Sequence, residues 1–117
     1  MPRISADHLA QLTQRYRRVK HVRYNGHDLV FRKPSRLEIQ AHREQQSSDN
    51  RGERVRADED LQRVLIVQVD GVADDPGAVR AAYNDLLDDY PYLANEKAVG
   101  IAVAQLTGVV QDEAEKK

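Results

Sequence analysis

The chain has no cysteine and no tryptophan, and a single phenylalanine among its 117 residues. Without cysteine, disulfides and thiolate metal sites are excluded. The longest aliphatic run, Val64 to Val67, falls far short of the roughly 20 apolar residues that cross a bilayer. Met1 to Asp7 contains no apolar leader of the kind a signal peptide needs. A cytoplasmic location and no membrane partner are therefore expected. Also missing are a Gly-rich phosphate loop, a Gly-x-Ser-x-Gly turn, and any nucleophile spaced informatively against a base. These absences predict a protein that is not an enzyme. The four histidines, His8, His21, His27 and His42, lack the close spacing of a ligand set. Asp70 to Asp75 has the composition of a calcium loop but not its order. Neither a metal nor a cofactor is expected.

Charge, by contrast, is abundant and unevenly placed. The net charge of −1 combines +7 over residues 1–56 with −8 over residues 57–117. Such a split allows internal neutralisation, self-association of copies, or outside partners of each sign. Arg15 to Tyr24 interleaves basic and aromatic residues, as nucleic-acid binders do. Tyr16 and Tyr24 nevertheless fall on apolar stripes, and the acidic half repels phosphate, which argues against nucleic acid as the partner. Asp85, Asp88 and Asp89 share one side of a helix, two of them near its C-terminus, where the dipole disfavours negative charge. They read either as a solvated face or as an acidic patch for arginines. The candidate partner-binding residues are thus Arg15, Arg17 and Arg18 on the basic side and Asp85, Asp88 and Asp89 on the acidic side.

A chain of this length fits one domain, expected over residues 1–110 with a disordered charged tail over 111–117. Leu9, Leu12 and Tyr16 recur at helical spacing, predicting a first helix from Ser5 to Arg18. Asn25-Gly26 predicts a two-residue type I′ turn that sets Tyr24 against His27, Arg23 against Asp28, Val22 against Leu29 and Lys20 against Phe31. Val22, Tyr24, Leu29 and Phe31 then share one apolar face. Pro34 ends the second strand, and Ser35 with Glu38 forms a capping box that opens a helix carrying Leu37, Ile39 and Ala41. Ser47 to Gly52 reads as a loop, followed by a helix loaded at its start by Asp58, Glu59 and Asp60. Val64 to Val69 reads as the end of that helix, with a strand beside the hairpin as the alternative. Asp75 and Pro76 start the next helix, with Val79, Tyr83, Leu86 and Leu87 as its buried stripe. Tyr90-Pro91 closes it. A last helix is expected from Leu93 to Val109. The fold class is therefore α+β and mainly helical, with one β-hairpin in the N-terminal half and four or five helices.

Four pieces read in order carry a family resemblance, the second of them a helix ending in the valine-rich stretch Val64 to Val69 ahead of a break containing Asp and Pro. Leu29-Val-Phe-Arg-Lys-Pro-Ser-Arg-Leu-Glu38 is similar to the strand-to-helix passage of tail assembly chaperones of long-tailed bacteriophages. Leu86-Leu-Asp-Asp-Tyr-Pro-Tyr-Leu93 resembles a later passage of the same family, and a final helix ending in Gln105-Leu-Thr-Gly108 completes the order. The resemblance spans residues 22–108. It implies non-catalytic binding of the phage tape-measure protein in the host cytoplasm, recruitment of tail-tube subunits, and departure before the virion matures. The alternatives are a small nucleic-acid-binding regulator using Arg15 to Arg23, and a structural phage connector or tail-completion protein.

Overall fold

Asn25 and Gly26 adopt φ angles of 48° and 81°, the pair of left-handed conformations that a type I′ turn demands. They join strands β1 (Val19–Tyr24) and β2 (His27–Arg32) in the expected register, Tyr24 opposite His27 through Lys20 opposite Phe31. The computed structural model describes residues 6–16 and 18–107 of the chain. A third strand, β3 (Ile66–Val69), pairs antiparallel with β2, so β2 is central in a three-stranded sheet. The helical reading of Val64 to Val69 is thereby corrected. The helix ends at Leu65 and the remainder is strand.

β3 carries a register irregularity. Val30 faces Gln68, yet the next residue, Phe31, faces Ile66. The extra residue on β3 acts as a bulge. It lets Ile66 and Val69, three apart, join one core while Val67 joins Val30 on the opposite face.

Helix α1 (Ala6–Tyr16) lies on one face of the sheet, where Leu12 is buried against Val30 and Val67, with Leu9, Tyr16 and Val19 packed around them. The larger core fills the other face. There Val22, Leu29, Phe31, Ile66 and Val69 meet α3 (Arg51–Leu65), α4 (Pro76–Asp89), a 3-10 turn (Leu93–Asn95) and α5 (Lys97–Thr107). Phe31 and Tyr83 are both wholly buried and meet edge to face with ring centroids 6.2 Å apart.

The helix starts follow their caps. Asp75 accepts from the N–H groups of Gly77 and Ala78 ahead of Pro76, and so opens α4. Asn50 accepts from the N–H of Glu53, so α3 begins at Arg51 rather than near Asp58. Arg51 and Gly52, expected in a loop, are its first turn. Val64, in the last turn of α3, is 40% exposed. The segment Leu93 to Glu96 breaks off as a separate turn before α5. Val109 and the tail 111–117 lie outside the described residues.

Helix α2 (Arg36–Gln46) is built differently. It has no buried residue, and Leu37 is 76% exposed. Its capping box is complete: Ser35 Oγ accepts from Glu38 N at 3.2 Å, and Glu38 Oε1 accepts from Ser35 N at 2.8 Å. Polar contacts tie it down. Arg32 grips Glu38 through a two-pronged fork of 2.8 and 2.7 Å and also donates to the Val64 carbonyl. His42 bonds Asp58 at 3.0 Å, and Gln45 donates to Asp60 and to the Glu53 carbonyl.

Candidate protein-binding groove and charged surfaces

α2 and α5 face each other across α3, and the space between them is a cavity of about 310 Å³. The two walls are helical stripes of the same spacing. Ile39, His42, Arg43 and Gln46 line one side, and Gly100, Val103, Ala104 and Thr107 line the other. Each set falls at i, i+3, i+4 and i+7, the positions that share a helix face. Leu61, Gln62, Asp58 and Ala94 form the floor. The adjoining stripe of α5, Val99, Ala102 and Leu106, is buried in the core, and Val103 belongs to both core and groove wall. α5 thus offers one face to the protein and another to the groove.

Small residues keep the α5 wall low. A Cβ built on Gly100 meets nothing within 4 Å, so no packing requires glycine there. Glycine inside a helix costs about 1 kcal/mol relative to alanine. On the α2 side the Arg43 guanidinium has no ion pair or side-chain hydrogen bond among the described residues. The floor is held rigidly: the wholly buried Tyr83 donates its hydroxyl hydrogen to Gln62 Oε1, and Gln62 Nε2 donates to the Ala94 carbonyl at 2.8 Å. Burial pushes the Tyr83 phenol well above its ordinary pKa, with the Glu59 carboxylate adding to the effect, so it remains a donor.

No family model, curated protein or solved structure matches the chain. Its function must be argued from its surfaces.

The basic candidates from the sequence partly converge. Arg15 and Arg18 line an open basin with Tyr16, Arg32, Lys33, Pro34 and Ser35. Arg17 lies outside the described residues. The Arg15 guanidinium sits 5.4 Å from the centroid of the Tyr16 ring. Lys33, which nothing in the linear pattern tied to Arg15, reaches the basin because its backbone N–H bonds the Arg18 carbonyl at the open end of the hairpin.

Among the acidic candidates, Asp85 and Asp89 line a cleft of about 240 Å³ with His27, Val69, Asp70, Val72, Ala82 and Leu86. Asp88 is exposed on α4 but does not line it. Asp70 is committed internally. Its Oδ1 accepts from Asp28 N at 2.7 Å and its Oδ2 lies 2.6 Å from His27 Nδ1. Asp28 is wholly buried, with its carboxylate against His21 and Arg23 at 3.0 and 3.1 Å.

His21–Asp28, His27–Asp70 and His42–Asp58 are each His–Asp pairs. Among the described residues none of these imidazoles bonds a Ser, Thr or Tyr hydroxyl, the contact that activates a nucleophile. No group of three His, Asp or Glu converges to hold a metal ion among those residues, and none of the described helices is long and apolar enough to cross a membrane.

Proposed function

We propose that this chain is a tail assembly chaperone that acts by non-catalytic binding. On this reading it shields amphipathic segments of a phage tape-measure protein in the host cytoplasm and helps bring tail-tube subunits to them. The observation that supports it is the groove: two helical stripes of matched spacing facing each other over Leu61, wide enough to admit apolar side chains of a third helix. A long amphipathic chain exposes apolar stripes until its tube covers them, and such stripes aggregate unless shielded. The family resemblance lies in residues with architectural work to do. Pro34, Ser35 and Glu38 start α2, one wall of the groove, and Tyr90-Pro91 leads into the turn that supplies Ala94 to its floor.

The test is co-expression with the product of the neighbouring tape-measure gene. The chaperone should co-purify with it and hold it in the supernatant. Gly100→Leu should abolish both effects, since it fills the groove at a position with free space and replaces a poor helix former by a good one. Equal pelleting of the tape measure with and without the chaperone would sink the reading.

The basin of Arg15, Tyr16, Arg18 and Lys33 favours one other reading, a small nucleic-acid-binding regulator, because a cationic rim around an aromatic ring suits a nucleic-acid strand. A phage connector or tail-completion protein remains the structural alternative, and would be found in purified virions where a chaperone would not.

A further inference from the structure

The basic basin and the acidic cleft lie at opposite ends of the same strand. Lys33 directly follows β2, whereas His27, which lines the cleft, begins it. A strand of six residues spans about 17–20 Å. The two surfaces therefore cannot reach each other within one chain, since an ion pair needs approach to about 4 Å.

Each surface has an apolar centre and a charged rim. In the cleft, Val72 and Ala82 lie beside Asp85 and Asp89. In the basin, Tyr16 and Pro34 lie beside Arg15 and Lys33. All four rim residues are exposed. None of them makes an ion pair among the described residues; Arg15 makes only its contact with the Tyr16 ring. Asp85 and Asp89 stand four residues apart on α4, so their carboxylates point the same way, about 6 Å apart at Cβ. Two unpaired anions on one end thus match two unpaired cations on the other. The net charge of −1 leaves little overall repulsion between copies.

We infer that the cleft of one copy receives the basin of the next, so that the protein self-associates head to tail. Such a contact joins different surfaces on the two partners. It generates an open chain, or a ring if the rotation closes, rather than a symmetric pair. The contact is small and rimmed by charge, which makes it weak, fast and dependent on salt. It leaves the α2–α5 groove free, and does not depend on what that groove binds.

Sedimentation velocity on the full chain tests this. The weight-average mass should rise with concentration at about 10 mM ionic strength, where charges interact over about 30 Å, and return to the monomer at about 1 M, where they interact over about 3 Å. D85K/D89K and R15E/K33E should each remain monomeric at low salt with unchanged circular dichroism. Mixing the two should restore association, because each reversed end meets a complementary one. A carbodiimide, which joins amines to carboxylates at contact distance, should link Lys33 to Asp85 or Asp89 between isotopically light and heavy copies. A wild type that stays monomeric at low salt would overturn the inference. So would association indifferent to either reversal, a mixture that stays monomeric, or cross-links confined to other residues.

Discussion

Tyr83 on α4 and Gln62 on α3 meet by a hydrogen bond inside the core, the hydroxyl donating and the amide oxygen accepting. The same amide donates onward to the carbonyl of Ala94. One side chain thus fastens α3 to both neighbouring elements beneath the groove. Tyr83→Phe keeps the ring against Phe31 but leaves Gln62 Oε1 without its donor. A buried acceptor left in that state costs about 1–3 kcal/mol. Denaturant melts should show a loss in this range, and a loss below about 0.5 kcal/mol would mean that water reaches the amide.

Phe31 is the only phenylalanine and is wholly buried between the sheet and α4. Phe31→Ala should destabilise by about 3–5 kcal/mol, combining lost transfer energy with the cavity left behind. The midpoint of urea unfolding would fall accordingly. A change well under 1 kcal/mol would place Phe31 on an open surface.

Glu38 sets an acid limit. The Arg32 fork, with a further bond from the Ser35 N–H, pulls its pKa from the ordinary 4.5 down to about 2. Between these values the unfolded carboxyl is protonated while the folded one is not. Stability contributed by the pair is therefore complete above 4.5 and is lost as the pH falls through about 2. Glu38→Gln should cost about 1 kcal/mol at neutral pH, as befits a partly exposed pair. The gap between wild type and variant should close as both are melted at successively lower pH. A gap that stayed constant down to the acid limit would show that the charge contributes nothing.

The basin predicts little for nucleic acid. Duplex DNA and single-stranded RNA should bind no tighter than about 100 μM at physiological salt, the weak end of non-specific association. Fluorescence anisotropy with labelled oligonucleotides would show it. Micromolar binding that fell steeply with salt, and weakened on neutralising Arg18 and Lys20, would put the regulator reading ahead.

Local chemistry made the hairpin, the capping box and the start of α4 legible, because Asn25-Gly26, Ser35 with Glu38, and Asp75-Pro76 each fix their own backbone. The third strand was legible only as the alternative to a helix, because of its bulge. A bulge places Ile66 and Val69, three apart, on one face, and Leu61, Leu65 and Val69 recur every four, so the strand continues a helical period. The start of α3 was missed because Asn50 caps a helix whose first residues, Arg51 and Gly52, are common loop formers. For the charged surfaces, Arg15 with Arg18 and Asp85 with Asp89 were visible as neighbours in sequence. Lys33, Asp70 and His27 joined them only through strand pairing. The groove escaped notice because the α2 stripe is mostly polar and looks solvated, and because Gly100 and Ala104 read as filler in an apolar helix.

Since α2 is tied by an arginine fork, an imidazole and an amide rather than by burial, it can lift from α3 without opening the core. The groove accordingly has one stiff wall, α5, anchored by Val99 and Leu106, and one compliant wall. A seat of that kind adjusts its width to the side chain it meets. On the proposed reading it would grip successive stretches of an irregular amphipathic chain with similar strength, trading sequence selectivity for tolerance.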